Sequence, residues 1–212
     1  MPTPRRARPP ASPRKRPVQE RSRETVRAIL EAAAHIFEEH GLEGATTDRI
    51  AARAGISVGS LYQYYPNKDA ILVALSHCHL LEGAVALAPC LAALDADPPL
   101  DAALLPLVHA TVALHATRSR LHRLLFSQSL PDPSLWQSIA TLRDEACARV
   151  ARYLAACPEA RVADPALAAR VAFEQLMALA HGFALDPGAG GSLESREREI
   201  ATALRRYLTG RG

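Results

Sequence analysis

Aromatic side chains are scarce: Phe, Trp and Tyr make up 5% of the 212 residues, with a single tryptophan at Trp136. That argues against a large aromatic-lined pocket and leaves aliphatic side chains to hold any small molecule. Stretches alternating apolar with polar residues are missing, as are β-branched runs, which removes the usual signature of half-buried strands. No uninterrupted apolar run reaches about 18 residues. The Ala/Leu-rich stretch 83–94 is short and broken by Pro89, so no membrane span is expected. The first residues have no apolar core of a secretory signal, and a cytoplasmic location is the default expectation. Cys78, Cys90, Cys147 and Cys157 form no CxxC pair and no metal-type spacing, so they read as packed thiols. His77, Cys78 and His79 adjoin in sequence, but neighbours on a helix point in different directions. Nucleophile elbow, glycine-rich phosphate loop, HExxH and paired carboxylates on one helix face are all lacking. No catalytic residue, metal site or cofactor is therefore expected, and an enzyme is not.

Charge is present but unevenly placed. The net charge is only +3. Residues 1–23 nevertheless hold Arg5, Arg6, Arg8, Arg14, Lys15, Arg16, Arg21 and Arg23 against one acid, Glu20. The same segment is rich in proline and poor in apolar residues. It cannot bury enough surface to offset its ordering entropy, so residues 1–22 are expected to form a disordered basic arm.

Helical periodicity recurs through the rest of the chain. From Arg23 to His40, Val26, Ile29, Leu30, Ala33, Ile36 and Phe37 share a face, and Gly41 follows where helices often end in a left-handed residue. Thr46 can cap a second helix, with Asp48 in its first turn. Gly55 permits a sharp turn, Ser57 can cap a third helix and Pro66 stops it. Asn67 can cap a long helix running toward Cys90. Further helices are expected over 101–117, with Pro106 starting or kinking it, and over 118–127, 134–157, 164–185 and 193–208. The expected fold is all-α, with about nine helices.

The two short helices joined by a tight turn, Thr46 to Tyr65, have the layout of a helix-turn-helix DNA reader. Thr46-Thr47, Ile50-Ala51, Ala54-Gly55-Ile56-Ser57, Leu61-Tyr62-Gln63-Tyr64-Tyr65 and Asn67-Lys68 together resemble the N-terminal domain of the TetR family of bacterial transcriptional regulators. The resemblance covers about Glu24 to Leu75. It implies a three-helix DNA-binding domain over 23–75 (reader motif 46–65) and a helical effector-binding and dimerisation domain over 76–212. It also implies that Thr47, Ser60, Tyr62 and Lys68 meet phosphates, while Val58, Gly59, Tyr62 and Tyr64 approach base edges or thymine methyls. Ser57 opens the reading helix. Asp48 departs from the family pattern, standing where some members place a basic residue that reads guanine. Val58 and Gly59 offer little hydrogen bonding, so recognition is expected to lean on Gln63, Arg49, methyl contacts and DNA shape.

By the same resemblance the protein is a homodimer on a palindromic double-stranded operator, most simply a repressor released by a small-molecule effector. Candidate effector-binding residues are His109, His115, Phe126, Trp136, Met177 and His181, polar or bulky groups on otherwise apolar stretches. The last two helices, with Leu167, Val171, Leu176, Leu179, Ile200, Leu204 and Leu208, are expected to make the dimer. A DNA-binding regulator without an effector, constitutive or controlled by another protein, stays open as the alternative.

Overall fold

Caps and glycines set the helix boundaries in the computed structural model, which describes residues 20–116, 124, 132–185 and 190–210. Helix α1 spans Glu20–Gly44, with a kink at Gly41, whose φ of 66° and ψ of −173° only glycine adopts readily. Its start at Glu20 lies three residues inside the expected arm; the rest of that arm, 1–19, falls outside the described residues. Thr46 caps α2 (Thr47–Arg53), its hydroxyl accepting from Arg49 N at 3.2 Å. Gly55, at φ 70°, makes the turn. Ser57 caps α3 (Val58–Tyr64), accepting from Ser60 N at 3.1 Å. Asn67 Oδ1 then accepts from Ala70 N at 2.8 Å and opens α4 (Lys68–Ala93). Each cap satisfies an amide that the first helical turn would leave without a partner.

A 3-10 turn follows at Leu94–Ala96, and Asp97 takes a left-handed conformation. The remaining helices are α5 (Leu100–Ala116), α6 (Pro133–Ala156), α7 (Pro165–Leu185) and α8 (Leu193–Thr209). Among the described residues there are eight α-helices and no strand. The fold is therefore all-α, as expected. The helix expected over 118–127 lies outside the described residues apart from Leu124. Pro106 does not start α5, which begins six residues earlier at Leu100. Pro89 likewise sits inside α4, which continues past Cys90 to Ala93. A proline inside a helix loses one backbone hydrogen bond, and around Pro106 apolar packing offsets it. Leu100, Ala103 and Leu104 before it, and Val108 and Val112 after it, are all buried.

The described residues divide into two compact units, 20–79 with 132–135 and 80–116 with 136–210. In the first, Ile29, Phe37, Ile50, Leu61 and Ile71 are fully buried. Tyr65 is buried there too, and desolvation pushes its phenol up to about 12. By length and composition residues 68–96 could cross a membrane, with a mean hydropathy of 1.7 over the most apolar window. Ala70, Ile71, Leu72, Val73 and Leu75 are instead buried with the first unit.

The second unit packs α5, α7 and α8 around Leu100, Val108, Val112, Tyr153, Ala169, Ile200, Leu204 and Leu208. Polar clamps pin its ends. The Tyr153 hydroxyl donates to Pro98 O at 2.8 Å, and Leu100 N donates to Glu159 Oε1 at 2.8 Å. The expected dimer face needs correcting here. Ile200, Leu204 and Leu208, assigned to it, are each 1% exposed and belong to this chain's own core. Periodicity shows that a helix face is buried, not which surface buries it.

Candidate nucleic-acid interface

The reading helix α3 is only two turns long, so its orientation depends on what holds it. Leu61 is fully buried and anchors one face. Ser57 ties down the first turn, and its hydroxyl lies 2.8 Å from that of Ser60. Ile56 N donates to Ala51 O at 3.0 Å, locking the turn between α2 and α3. The result is a rigid pair of helices with Tyr62, Gln63 and Gly59 exposed and Val58, Ser60 and Tyr64 half-buried.

Tertiary contacts then position individual side chains. The Thr47 and Tyr62 hydroxyls, from α2 and α3, lie 3.1 Å apart on the exposed side. Two adjacent hydroxyls offer a phosphate oxygen paired donors, the kind of contact that fixes register on a duplex. Tyr64 reaches back toward α1 and its hydroxyl accepts from Ser22 Oγ at 3.2 Å. Ser22 was not among the expected site residues. It stands 42 positions from Tyr64, and no local pattern links the two.

Two cations expected at the DNA are held by the protein itself. Arg49 Nη1 donates to Gly44 O at 2.8 Å, closing the end of α1. Lys68 Nζ donates to Leu42 O at 2.8 Å. Both satisfy carbonyls that the kink at Gly41 and the end of α1 expose. Each still carries its charge on the surface of the unit that presents α3, and Arg49 is exposed. Asp48 is exposed in the first turn of α2, while Thr46 makes the cap. A Cβ built on Gly59 would meet nothing nearer than Ser57 Oγ at 3.9 Å. Among the described residues, then, nothing requires glycine at this exposed helical position.

The effector candidates separate in space. His115 on α5 is buried, and its Nδ1–H donates to Thr111 O at 2.6 Å. That fixes the tautomer, so Nε2 accepts from His181 Nε2–H at 3.1 Å. The rings meet edge to face, 4.4 Å between centroids. Burial pulls the His115 pKa below its usual value, partly countered by the bond to Thr111. Thr111 was not an expected site residue, although its position one helical turn before His115 was a usable signal. Met177, on α7 with His181, is half-buried. His109 faces outward, its Nδ1 3.1 Å from Glu197 Oε2 on α8. Trp136 is exposed near the start of α6. Phe126 lies outside the described residues. The fold brings two of the candidates, His115 and His181, together by a hydrogen bond. No group of three or more metal-ligating side chains occurs among the described residues.

Comparisons with known proteins agree with this arrangement. Residues 29–75 match the profile of bacterial regulatory proteins of the tetR family, and residues 99–208 match the tetracyclin repressor-like C-terminal domain. The nucleoid occlusion factor SlmA of Pasteurella multocida is 44% identical over 61 residues, which cover 28% of this chain and 31% of SlmA. The A-factor receptor protein of Streptomyces griseus is 39% identical over 57 residues, 27% of this chain and 21% of the receptor. The matched stretch thus spans less than a third of either relative. The fold, by contrast, is shared along nearly the whole chain with a Mesorhizobium loti protein assigned to the same family. That structure superposes with a TM-score of 0.73 at 21% identity, covering 91% of this chain and 98% of the other. With one profile on the reading unit and a second across α5 to α8, the chain belongs to the TetR family of bacterial DNA-binding transcriptional regulators.

Proposed function

We propose that the protein is a homodimer whose paired α3 helices read a palindromic operator, and that it represses transcription until a small molecule releases it. The observation that carries the DNA-contact assignment is the exposed Thr47–Tyr62 hydroxyl pair, which joins the capped helices α2 and α3, with Gln63, next to Tyr62 in sequence, also exposed. Thr47, Ser60, Tyr62 and Lys68 hold the backbone in this reading, while Val58, Gly59, Gln63 and Tyr64 face base edges. Arg49 contributes charge, and Ser57 orients the helix start. Residues 23–75 serve as the DNA-binding domain and 76–212 as the effector and dimerisation domain, in a cytoplasmic protein.

Support for a ligand comes from the second unit. A buried histidine is costly unless hydrogen-bonded, and His115, with Thr111 and half-buried His181, supplies donors and acceptors that a ligand can exchange for. The family profile of this region is named for a repressor, and one relative is named a receptor. Support for the dimer comes from Leu167 and Leu179 on α7 and Tyr207 on α8, all exposed in the single chain. The effector must prefer the geometry that does not fit the operator, because a ligand shifts an equilibrium only by its differential affinity. A mobility-shift assay on DNA flanking the protein's own gene tests the core of this reading. A retarded complex of dimer stoichiometry is expected; free DNA alone at low salt contradicts it.

A further inference from the structure

We propose that Ser22 is a positioning residue for the reading helix: it holds the Tyr64 phenol so that its O–H meets the duplex as a fixed hydrogen-bond donor. The proposal rests on the DNA-binding reading above and adds how the end of α3 is aimed. Ser22 is the third residue of α1, and its Oγ donates to the Tyr64 hydroxyl at 3.2 Å. Both side chains are half-buried, and both belong to one compact unit.

Tyr64 is where α3 has the least hold on its own side chains. It is the last helical residue, and Tyr65 after it is already extended, at φ −125° and ψ 120°. The second torsion of a tyrosine is broad, so the backbone alone leaves the place of the hydroxyl open. The bond from Ser22 closes that freedom from outside the helix-turn-helix. Successive helical residues turn by about 100°, so Tyr62 and Tyr64 leave α3 in nearly opposite directions. Each is met by a hydroxyl from a different helix, Tyr62 by Thr47 of α2 and Tyr64 by Ser22 of α1. The two-turn helix is thereby tied on both flanks through its tyrosines.

The direction of the bond decides the chemistry. A phenol carries one hydrogen and can both donate and accept. Tyr64 accepts from Ser22, so its own hydrogen points away from that bond. Accepting one hydrogen bond also strengthens the donor in a chain of them. The complementary groups on a duplex are acceptors, a base-edge nitrogen or oxygen in the major groove or a phosphate oxygen, whereas a cytosine amino group is a mismatch. A phenol fixed before DNA arrives spends less entropy on binding.

The test uses the full chain, a duplex that the wild type selects from a random-sequence pool, and a mixed-sequence duplex of equal length. Ser22→Ala and Tyr64→Phe each remove one side of the bond. They are compared with the double variant and with Ser22→Thr, which keeps a hydroxyl. Alanine suits a helix, so the melting temperature of Ser22→Ala should hold. A neutral hydrogen bond is worth about three- to tenfold in affinity, and each single variant is expected to lose about that much on the selected duplex. The double variant should lose no more than Tyr64→Phe alone, because the two groups act as one, and Ser22→Thr should bind as wild type does. Loss confined to the selected duplex places the Tyr64 O–H on a base edge, and equal loss on both duplexes places it on a phosphate. Unchanged affinity in Ser22→Ala, or losses that add in the double variant, overturns the role of Ser22 and leaves α3 as the reader. A wild type that binds no duplex at low salt overturns the DNA-binding reading and this role with it.

Discussion

The two units spend their polar side chains in opposite ways. In the reading unit, Thr46, Ser57 and Asn67 cap helices within a segment of about twenty residues, and Thr47 and Tyr62 meet on the surface. In the second unit the notable polar groups turn inward: His115 and Thr111 are buried, and half-buried His181 meets His115. A surface of fixed hydroxyls suits a partner with a repeating, charged exterior. A buried imidazole bonded to a half-buried one suits a small ligand, as the proposed function requires. On that proposal the reader must be rigid before DNA arrives, whereas a responsive core must have a second arrangement within reach.

The sharpest break in this comparison comes from emptying the first core. Phe37 is fully buried, and Phe37→Ala should cost about 3–5 kcal/mol, lowering the melting temperature and abolishing DNA retention together. If retention survives with the core truncated, the rigidity assigned to the reader is misplaced.

A second prediction concerns the histidine pair. His115 has its folded pKa lowered by burial, so the unfolded chain binds the proton more readily. Stability is then full above the ordinary histidine pKa of about 6.5 and is lost as pH falls below it. His115→Gln, which keeps a hydrogen-bonding group without a titrating ring, should flatten that dependence in thermal melts between neutral and mildly acidic pH. An equally steep curve in the variant would mean that some other group sets the pH response.

Smaller effects sharpen the reader itself. Thr46→Ala removes the cap on α2 and should cost about 1 kcal/mol in a denaturant titration. Gly59→Ala separates folding from function. With the nearest side-chain atom 3.9 Å from the added Cβ, it should stabilise the free protein by about 0.5–1 kcal/mol, since glycine is a poor helix former. If Gly59 permits close approach to bases, the same variant should bind operator more weakly; a stabilised variant with unchanged affinity would place Gly59 away from DNA.

What the sequence disclosed follows the same division. Caps and turns act over three or four residues, so Thr46, Gly55, Ser57 and Asn67 were readable one by one; Gly41, expected to end the first helix, takes the left-handed φ but only kinks α1, which runs on to Gly44. Contacts between distant residues were not readable. His115 and His181 are 66 positions apart, Ser22 and Tyr64 are 42, and only the fold brings each pair together. Arg49 shows a subtler limit: its type and place suggest DNA, and the fold also gives it a partner in Gly44 O that no local pattern announces. Ile200, Leu204 and Leu208 showed a real apolar stripe whose partner proved to be the chain itself. Pro106 does not start α5, because the apolar residues on either side of it are buried.

The most direct test of the central claim is the affinity of wild type and Tyr62→Ala for a duplex taken from upstream of the protein's own gene, measured by fluorescence anisotropy at fixed salt. Tyr62 is exposed and its hydroxyl meets that of Thr47 on the surface rather than in the core, so the fold should survive the change. Saturable wild-type binding is expected, with a loss of at least about tenfold in the variant, equivalent to about 1.4 kcal/mol. Equal affinities in two folded proteins would contradict the claim that the Thr47–Tyr62 surface meets DNA.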